Sequence, residues 1–148
     1  MNCYIINRKT VVITPLNERQ SIVYELGKQV IINKPSLPIV RRSCYVFGSS
    51  FDGRMAGAKE LTGYKYKPPI VIQETDNVII FPTKSPYSES TEWVALNHIV
   101  EFYPNHGNNN TFVRFDNGLL LELSVSYGIF KNQYLKASYL AAKIKKNK

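Results

Sequence analysis

The chain is short of the residues that staple, coordinate or catalyse. Its 148 residues hold two cysteines and two histidines. Cys3 and Cys44 show no C-x-x-C spacing, which argues against a disulfide framework and against a structural Cys/His metal cluster. So few thiols fit a reducing, intracellular setting. No apolar run approaches the roughly 18 residues of a membrane span, and Arg8 and Lys9 follow the apolar residues 4–6, the reverse of a secretory signal. A cytoplasmic protein with no membrane partner is expected. Internal repeats and low-complexity tracts are missing too. At this length one domain, residues 1–148, is expected to bury its own core without a metal or cofactor.

Acidic residues are scarce where basic ones concentrate. The formal net charge is +8, with 19 Lys+Arg against 11 Asp+Glu. Residues 1–40 carry +3, 41–67 carry +4, 68–130 carry −5, and 131–148 carry six lysines and no acid. A surface made only for solubility intersperses both signs, whereas separated fields attract a polyanion on one side. Nucleic acid is the first candidate partner. For Lys143, Lys145, Lys146 and Lys148 the alternative is a solvated, frayed tail.

Apolar runs at residues 4–6, 11–14, 22–26 and 30–32, punctuated by Pro15, Gly27 and Pro35, predict short strands in a meander. CYVF at residues 44–47 predicts another strand, followed by a Gly/Ser loop and a short helix near residues 53–62, with Asp52 or Ser50 as its N-cap. Gly63 and Pro68-Pro69 end it. Further strands are expected at residues 70–72, 78–81, 93–103 and 111–115. Asp116-Asn117-Gly118 between two β-prone runs predicts a type I′ hairpin. The period then changes: Phe130, Tyr134, Ala137, Ala141 and Ile144 share one helical face, so a C-terminal helix near residues 126–144 should pack on the sheet. Lys136 and Lys143 fall on another face and are expected to point outward. The fold class expected is α+β, with a mainly antiparallel sheet and these two helices.

Enzyme chemistry finds little support. GSSFDGRM at residues 48–55 approaches the P-loop pattern GxxxxGK[ST], but Arg54 stands in the lysine position and Met55 replaces the hydroxyl that coordinates Mg²⁺. What survives is a Gly/Ser turn, shaped by Gly48, Gly53 and Gly57, whose N–H groups, with Arg54, could hold a phosphate; the alternative is a tight turn that needs Gly at positive φ. Cys44 and His98 could form a nucleophile and base, yet Cys44 lies in an apolar run where a buried inert thiol is commoner. His106 reads as solvated, and Glu89 and Glu92 as surface carboxylates in a polar loop. No catalytic or metal site is expected.

In residues 41–67, Arg41, Arg42, Arg54, Lys59, Lys65 and Lys67 interleave with Tyr45, Phe47, Phe51, Tyr64 and Tyr66. Aromatics between basic residues suit base stacking or minor-groove wedges, although in strands they more often face the core. A helix-turn-helix would need a second helix soon after Gly57 or Gly63, which Pro68-Pro69 removes.

The segment RSCYVFGSSFDGRMAG at residues 42–57 resembles the ComK family of bacterial competence transcription factors. KPPI at 67–70, FPT at 81–83, Trp93, His98, the Asn117-Gly118 turn, and Tyr127, Phe130, Asn132 and Gln133 extend the likeness in order, weakest before Ile32. The resemblance implies an activator that binds paired A/T-rich boxes in double-stranded DNA from the minor-groove side, acts as a homo-oligomer, bends DNA and switches on DNA-uptake and recombination genes. It also implies control by adaptor-delivered proteolysis, but family members continue past the position of Lys148 with a tail involved in adaptor recognition and activation. A form ending there is expected to bind DNA yet activate poorly. Minor-groove proteins sense the narrow, negative A/T groove with Arg and Lys, which gives a basic block without a recognition helix a purpose. The DNA contacts expected are Arg41, Arg42, Arg54, Lys59, Lys65 and Lys67, with Ser49 and Ser50 donating hydrogen bonds, and Lys136 and Lys143 forming a second surface. A different class of function is a regulatory protein-interaction module that modulates a full-length relative or another partner through the acidic middle, with Glu89, Glu92 and Glu101.

Overall fold

The computed structural model describes residues 1–147. Nine strands and three α-helices follow in the order β1 (Thr10–Pro15), β2 (Ser21–Glu25), β3 (Lys28–Ile32), α1 (Ser36–Val46), α2 (Phe51–Thr62), β4 (Ile70–Gln73), β5 (Val78–Pro82), β6 (Trp93–Ala95), β7 (Ile99–Pro104), β8 (Thr111–Phe115), β9 (Leu120–Leu123) and α3 (Tyr127–Lys146) among the described residues. A six-stranded sheet runs β3-β2-β1-β6-β5-β4 and a three-stranded sheet β7-β8-β9. Every pairing is antiparallel. The α+β class, the mostly antiparallel sheet, the short helix and the C-terminal helix all stand as expected.

Side chains alternate across a strand, so a sheet buried on both faces reads as an unbroken apolar run. β5 does this, with all five of its residues buried. Ile80, Trp93, Ala95, Ile70, Ile72 and Ile13 enter one core, together with Ile39, Val40 and Cys44 of α1 and Phe51 of α2. Ile79, Phe81, Val94, Val71 and Val12 enter the other, with Val113, Phe115 and Leu123 of the small sheet and Phe130, Ala137 and Leu140 of α3. α2 joins the two: Phe51 and Met55 pack in the first core, Ala58 and Leu61 in the second. Trp93 and Phe81 are core residues, as their strand positions lead one to expect.

α3 begins at Ser126, whose hydroxyl accepts from Ile129 N at 3.4 Å. Phe130 lies edge-on between Phe81 of the large sheet, 5.4 Å away, and Phe102 of the small one, 4.9 Å away. Its inner face holds Phe130, Ala137 and Ile144 as the spacing predicts, with Leu140 added.

Several local expectations fail, each for a physical reason. Residues 44–47 are not a strand; Cys44 to Val46 end α1, whose buried positions Ser36, Ile39, Val40, Ser43 and Cys44 follow the helical period. Residues 4–6 form no strand, since the Ile6 N–H donates to Ser43 Oγ at 2.9 Å instead of to a neighbouring strand. The run 93–103 is broken by a 3-10 turn at Leu96–His98, so its halves belong to different sheets. There the His98 ring is held between Asp116 Oδ1 at 3.0 Å and the Arg8 carbonyl at 2.7 Å. The hairpin at residues 116–118 is not type I′. Positive φ falls at Gly118 (86°) and not at Asn117, and Phe115 N donates to Leu119 O at 2.8 Å, which makes a three-residue loop closed by a glycine bulge.

Glu92 is not at the surface: it is 5% exposed. Its carboxylate accepts from Thr83 Oγ1 at 2.8 Å, Lys84 Nζ at 3.3 Å and Ser124 N at 3.0 Å. Glu89 and His106 are exposed, as expected. No helix among the described residues is long and apolar enough to cross a membrane.

Candidate nucleic-acid interface

The basic block folds as two helices around a tight corner. α1 carries Arg41, Arg42 and Tyr45 on its exposed side because Ile39, Val40, Ser43 and Cys44 take the core side. It ends in a Schellman arrangement: Gly48, at φ 82°, donates to Tyr45 O, and Ser49 N donates to Cys44 O, both at 3.0 Å. Two residues later Ser50 caps α2, its Oγ accepting from Gly53 N at 2.9 Å. Asp52 in the first turn and Lys59 in the last both complement the helix dipole. Two helices joined by a short glycine-containing turn are a helix-turn-helix-like unit. The partner of α2 lies before Gly48, in a helix whose last turn reads as a strand, and not after Gly57.

The structure sorts the expected contacts into two groups. At the corner, Arg41 lies over the Phe51 ring at 5.9 Å, and Phe51 in turn meets Trp93 edge-on at 6.3 Å. Ser49 and Ser50 are half-buried there. Ser49, Gly53 and Arg54 line a cleft of about 120 Å³ with Gly57, Glu74, Leu140 and Ile144. Arg54 is only partly available, since its Nη1 stands 3.7 Å from Glu74 Oε1 and its Nε is buried without a partner. A Cβ on Gly53 would meet Ser50 Oγ at 3.0 Å, so that glycine keeps the cap compact, whereas Gly57 faces open space. Arg42 points to another hollow of about 180 Å³, shared with Asn2, Cys3, Tyr4 and Lys34.

The second group surrounds the segment after α2. Lys59 and Lys65 are exposed and Lys67 is half-buried. Lys143 stacks its ammonium 5.4 Å from the Tyr139 ring. Lys136 does not point outward: it is 8% exposed, and its Nζ donates to the Tyr66 carbonyl at 2.9 Å. Burial, and then the charge of Lys67, hold its pKa below the ordinary lysine value. Lys136 is therefore corrected from a surface contact to an internal brace, while Lys148 lies outside the described residues.

Cys44 and His98 do not combine. The thiol is fully buried, and desolvation pushes its pKa up to about 11, against a smaller opposing pull from Arg54. The sign is decisive, because an acid with a raised pKa stays protonated at neutral pH and is a poor nucleophile. Native protein at about pH 8 is expected to release one equivalent of colour with Ellman's reagent, from the exposed Cys3, and a second only on unfolding. Two fast equivalents would contradict this. No group of three or more His, Cys, Asp or Glu side chains able to hold a metal occurs among the described residues.

The α1 helix was the residue-level signal missed: Ile39, Val40, Ser43, Cys44 and Phe47 repeat at helical spacing behind a proline in the first turn, where Pro is tolerated. The Lys136 brace had no signal, because a lysine at a helical position reads as solvated.

This is an α+β protein that displays a basic helical corner. The chain belongs to the ComK family, whose family model, described as ComK protein, matches residues 1–148. A Bacillus subtilis (strain 168) protein described as competence transcription factor is 34% identical over 146 residues, covering 97% of this chain and 76% of that protein. No solved structure matches the chain significantly.

Proposed function

We propose that this chain is a cytoplasmic regulator of competence-gene transcription, and that residues 1–148 act as one unit binding A/T-rich duplex DNA from the minor-groove side as a homo-oligomer. Membership of the ComK family and the name of the Bacillus subtilis relative support the regulatory reading. One observation on the chain itself carries the DNA reading. Glu74, Glu92, Glu101, Asp116 and Glu122 of the acidic middle are all engaged within the fold. Arg41, Arg42, Lys59, Lys65 and Lys67, by contrast, have no ion-pair partner among the described residues. Five of the seven acids in residues 68–130 are satisfied internally, Asp76 and Glu89 remaining exposed, and the bases are left to face an external polyanion.

The helix-turn-helix-like corner raises major-groove reading as an alternative docking mode. Arg54 being half-buried in its cleft supports shape sensing over a deep reach for a base edge. Fluorescence anisotropy on two duplexes of equal length, one with paired A/T tracts and one of mixed sequence, tests both modes across a salt series. Tight A/T-selective binding abolished by a minor-groove-blocking drug is the expected result. Selective binding that survives the drug would move the contact to the major groove. Weak, unselective binding that vanishes at moderate salt would overturn the DNA reading in favour of a protein-interaction module.

A further inference from the structure

Tyr66 is 81% exposed, more than any other large hydrophobic side chain among the described residues. It sits on the irregular segment 63–69 between α2 and β4. Such a segment would ordinarily be mobile, yet α3 fixes its backbone from beneath. Lys136 Nζ donates to Tyr66 O at 2.9 Å, and Gln133 Nε2 donates to Lys67 O at 3.0 Å and to Pro82 O at 2.9 Å. Gln133 is 1% exposed and Lys136 8%. Tyr64 packs edge-on against Tyr139 at 6.0 Å, with the Lys136 ammonium 5.5 Å from its ring. Lys67 is held at φ 44°, a left-handed conformation that a side chain rarely adopts, and the buried Pro68 and Pro69 follow.

Each of these features costs free energy that the core does not need. An ammonium is taken out of water, a non-glycine residue is held at positive φ, and a loop is frozen. Their joint product is one tyrosine ring projecting into solvent, flanked by Lys65 and Lys67. A ring on a fixed backbone has only its own two side-chain torsions to lose when it meets a planar partner.

We propose that Tyr66 is the stacking or wedging contact of this protein with duplex DNA, and that Lys136 and Gln133 are its positioning residues. The inference rests on the DNA-binding reading above. Lys65 and Lys67 hold the phosphates on either side, while the ring slides between partly unstacked A/T steps at the minor groove. Stacking by one aromatic side chain corresponds to about tenfold in affinity. Removal of the ring is expected to spare the salt dependence, which counts phosphates alone.

The test uses the full chain and a duplex with paired A/T tracts carrying 2-aminopurine, whose fluorescence rises on unstacking. At saturation the unaltered protein is expected to raise the signal. Tyr66→Phe should keep the rise. Tyr66→Ala should lose it, with about tenfold weaker binding and an unchanged salt slope. Because Tyr66 is exposed, its alanine variant should melt with the parent. Lys136→Met should lose most of the rise at an unchanged slope, a pattern that mere loss of stability would not give, and Lys65→Ala should keep the rise while the slope falls by about one. A full rise with Tyr66→Ala would overturn the wedge and leave the DNA reading intact. A full rise with Lys136→Met would overturn its positioning role. Failure of the unaltered protein to bind at low salt would overturn the DNA reading itself.

Discussion

Replacing Arg41, Arg42, Lys59 and Lys65 together by alanine is expected to weaken duplex binding about a thousandfold at about 0.15 M salt. The plot of log affinity against log salt should flatten by about 3.6 units, roughly 0.9 for each phosphate left unneutralised. All four side chains are exposed and lack ion-pair partners among the described residues, so the fold should survive their removal. Equilibrium titration at four or more salt concentrations measures the slope directly. Each single variant should change the slope by about one unit on every sequence, because phosphates carry no sequence information. An unchanged slope for any of them removes that residue from the footprint. Arg54→Ala should behave differently: its guanidinium already faces Glu74, so the expected loss is in preference for A/T tracts over mixed sequence, with little change in slope.

The largest stability effect is expected at Glu92. Glu92→Ala takes the carboxylate acceptor from the Thr83 hydroxyl, the Lys84 ammonium and the Ser124 N–H, leaving Lys84 only the Ser90 carbonyl and Ser124 Oγ. Breaking such a buried, charge-assisted set costs about 3 kcal/mol, which in a chain of this size lowers Tm by roughly 10 °C. Thermal melting followed by circular dichroism should show it. Glu92→Gln keeps one oxygen acceptor and should lose less. The position matters because Thr83 follows β5 whereas Ser124 follows β9, so one carboxylate ties the large sheet to the small one. An alanine variant that melts with the parent would show that water replaces the carboxylate at little cost.

Most strands were legible because their apolar runs are short and bounded by Gly, Pro and Asn. The C-terminal helix was legible because its period is sustained over 20 residues. The first helix was not. Its last turn, Cys44 to Val46, is built from residues with strand preference, and the burial of Ile39, Val40 and Cys44 against the sheet overrides that preference. That misreading also concealed the helical corner, since two helices about a turn cannot be seen when the last turn of the first is taken for a strand. Of the contacts expected from composition, Arg41, Arg42, Lys59 and Lys65 are exposed. Partnership was not legible. That Glu74 would face Arg54, that Glu92 would turn inward, and that Lys136 would reach the Tyr66 carbonyl all depend on contacts between residues 8 to 70 positions apart.

α2 has one end in each hydrophobic core, with Phe51 and Met55 in the first and Ala58 and Leu61 in the second. It acts as a rivet through both layers. Neither layer can loosen locally without dragging the helix, so its amide hydrogens should exchange only through near-global opening. A partner meeting this surface finds it already formed. Association is then limited by diffusion and orientation, accelerated by the basic field, rather than by a wait for the protein to order itself.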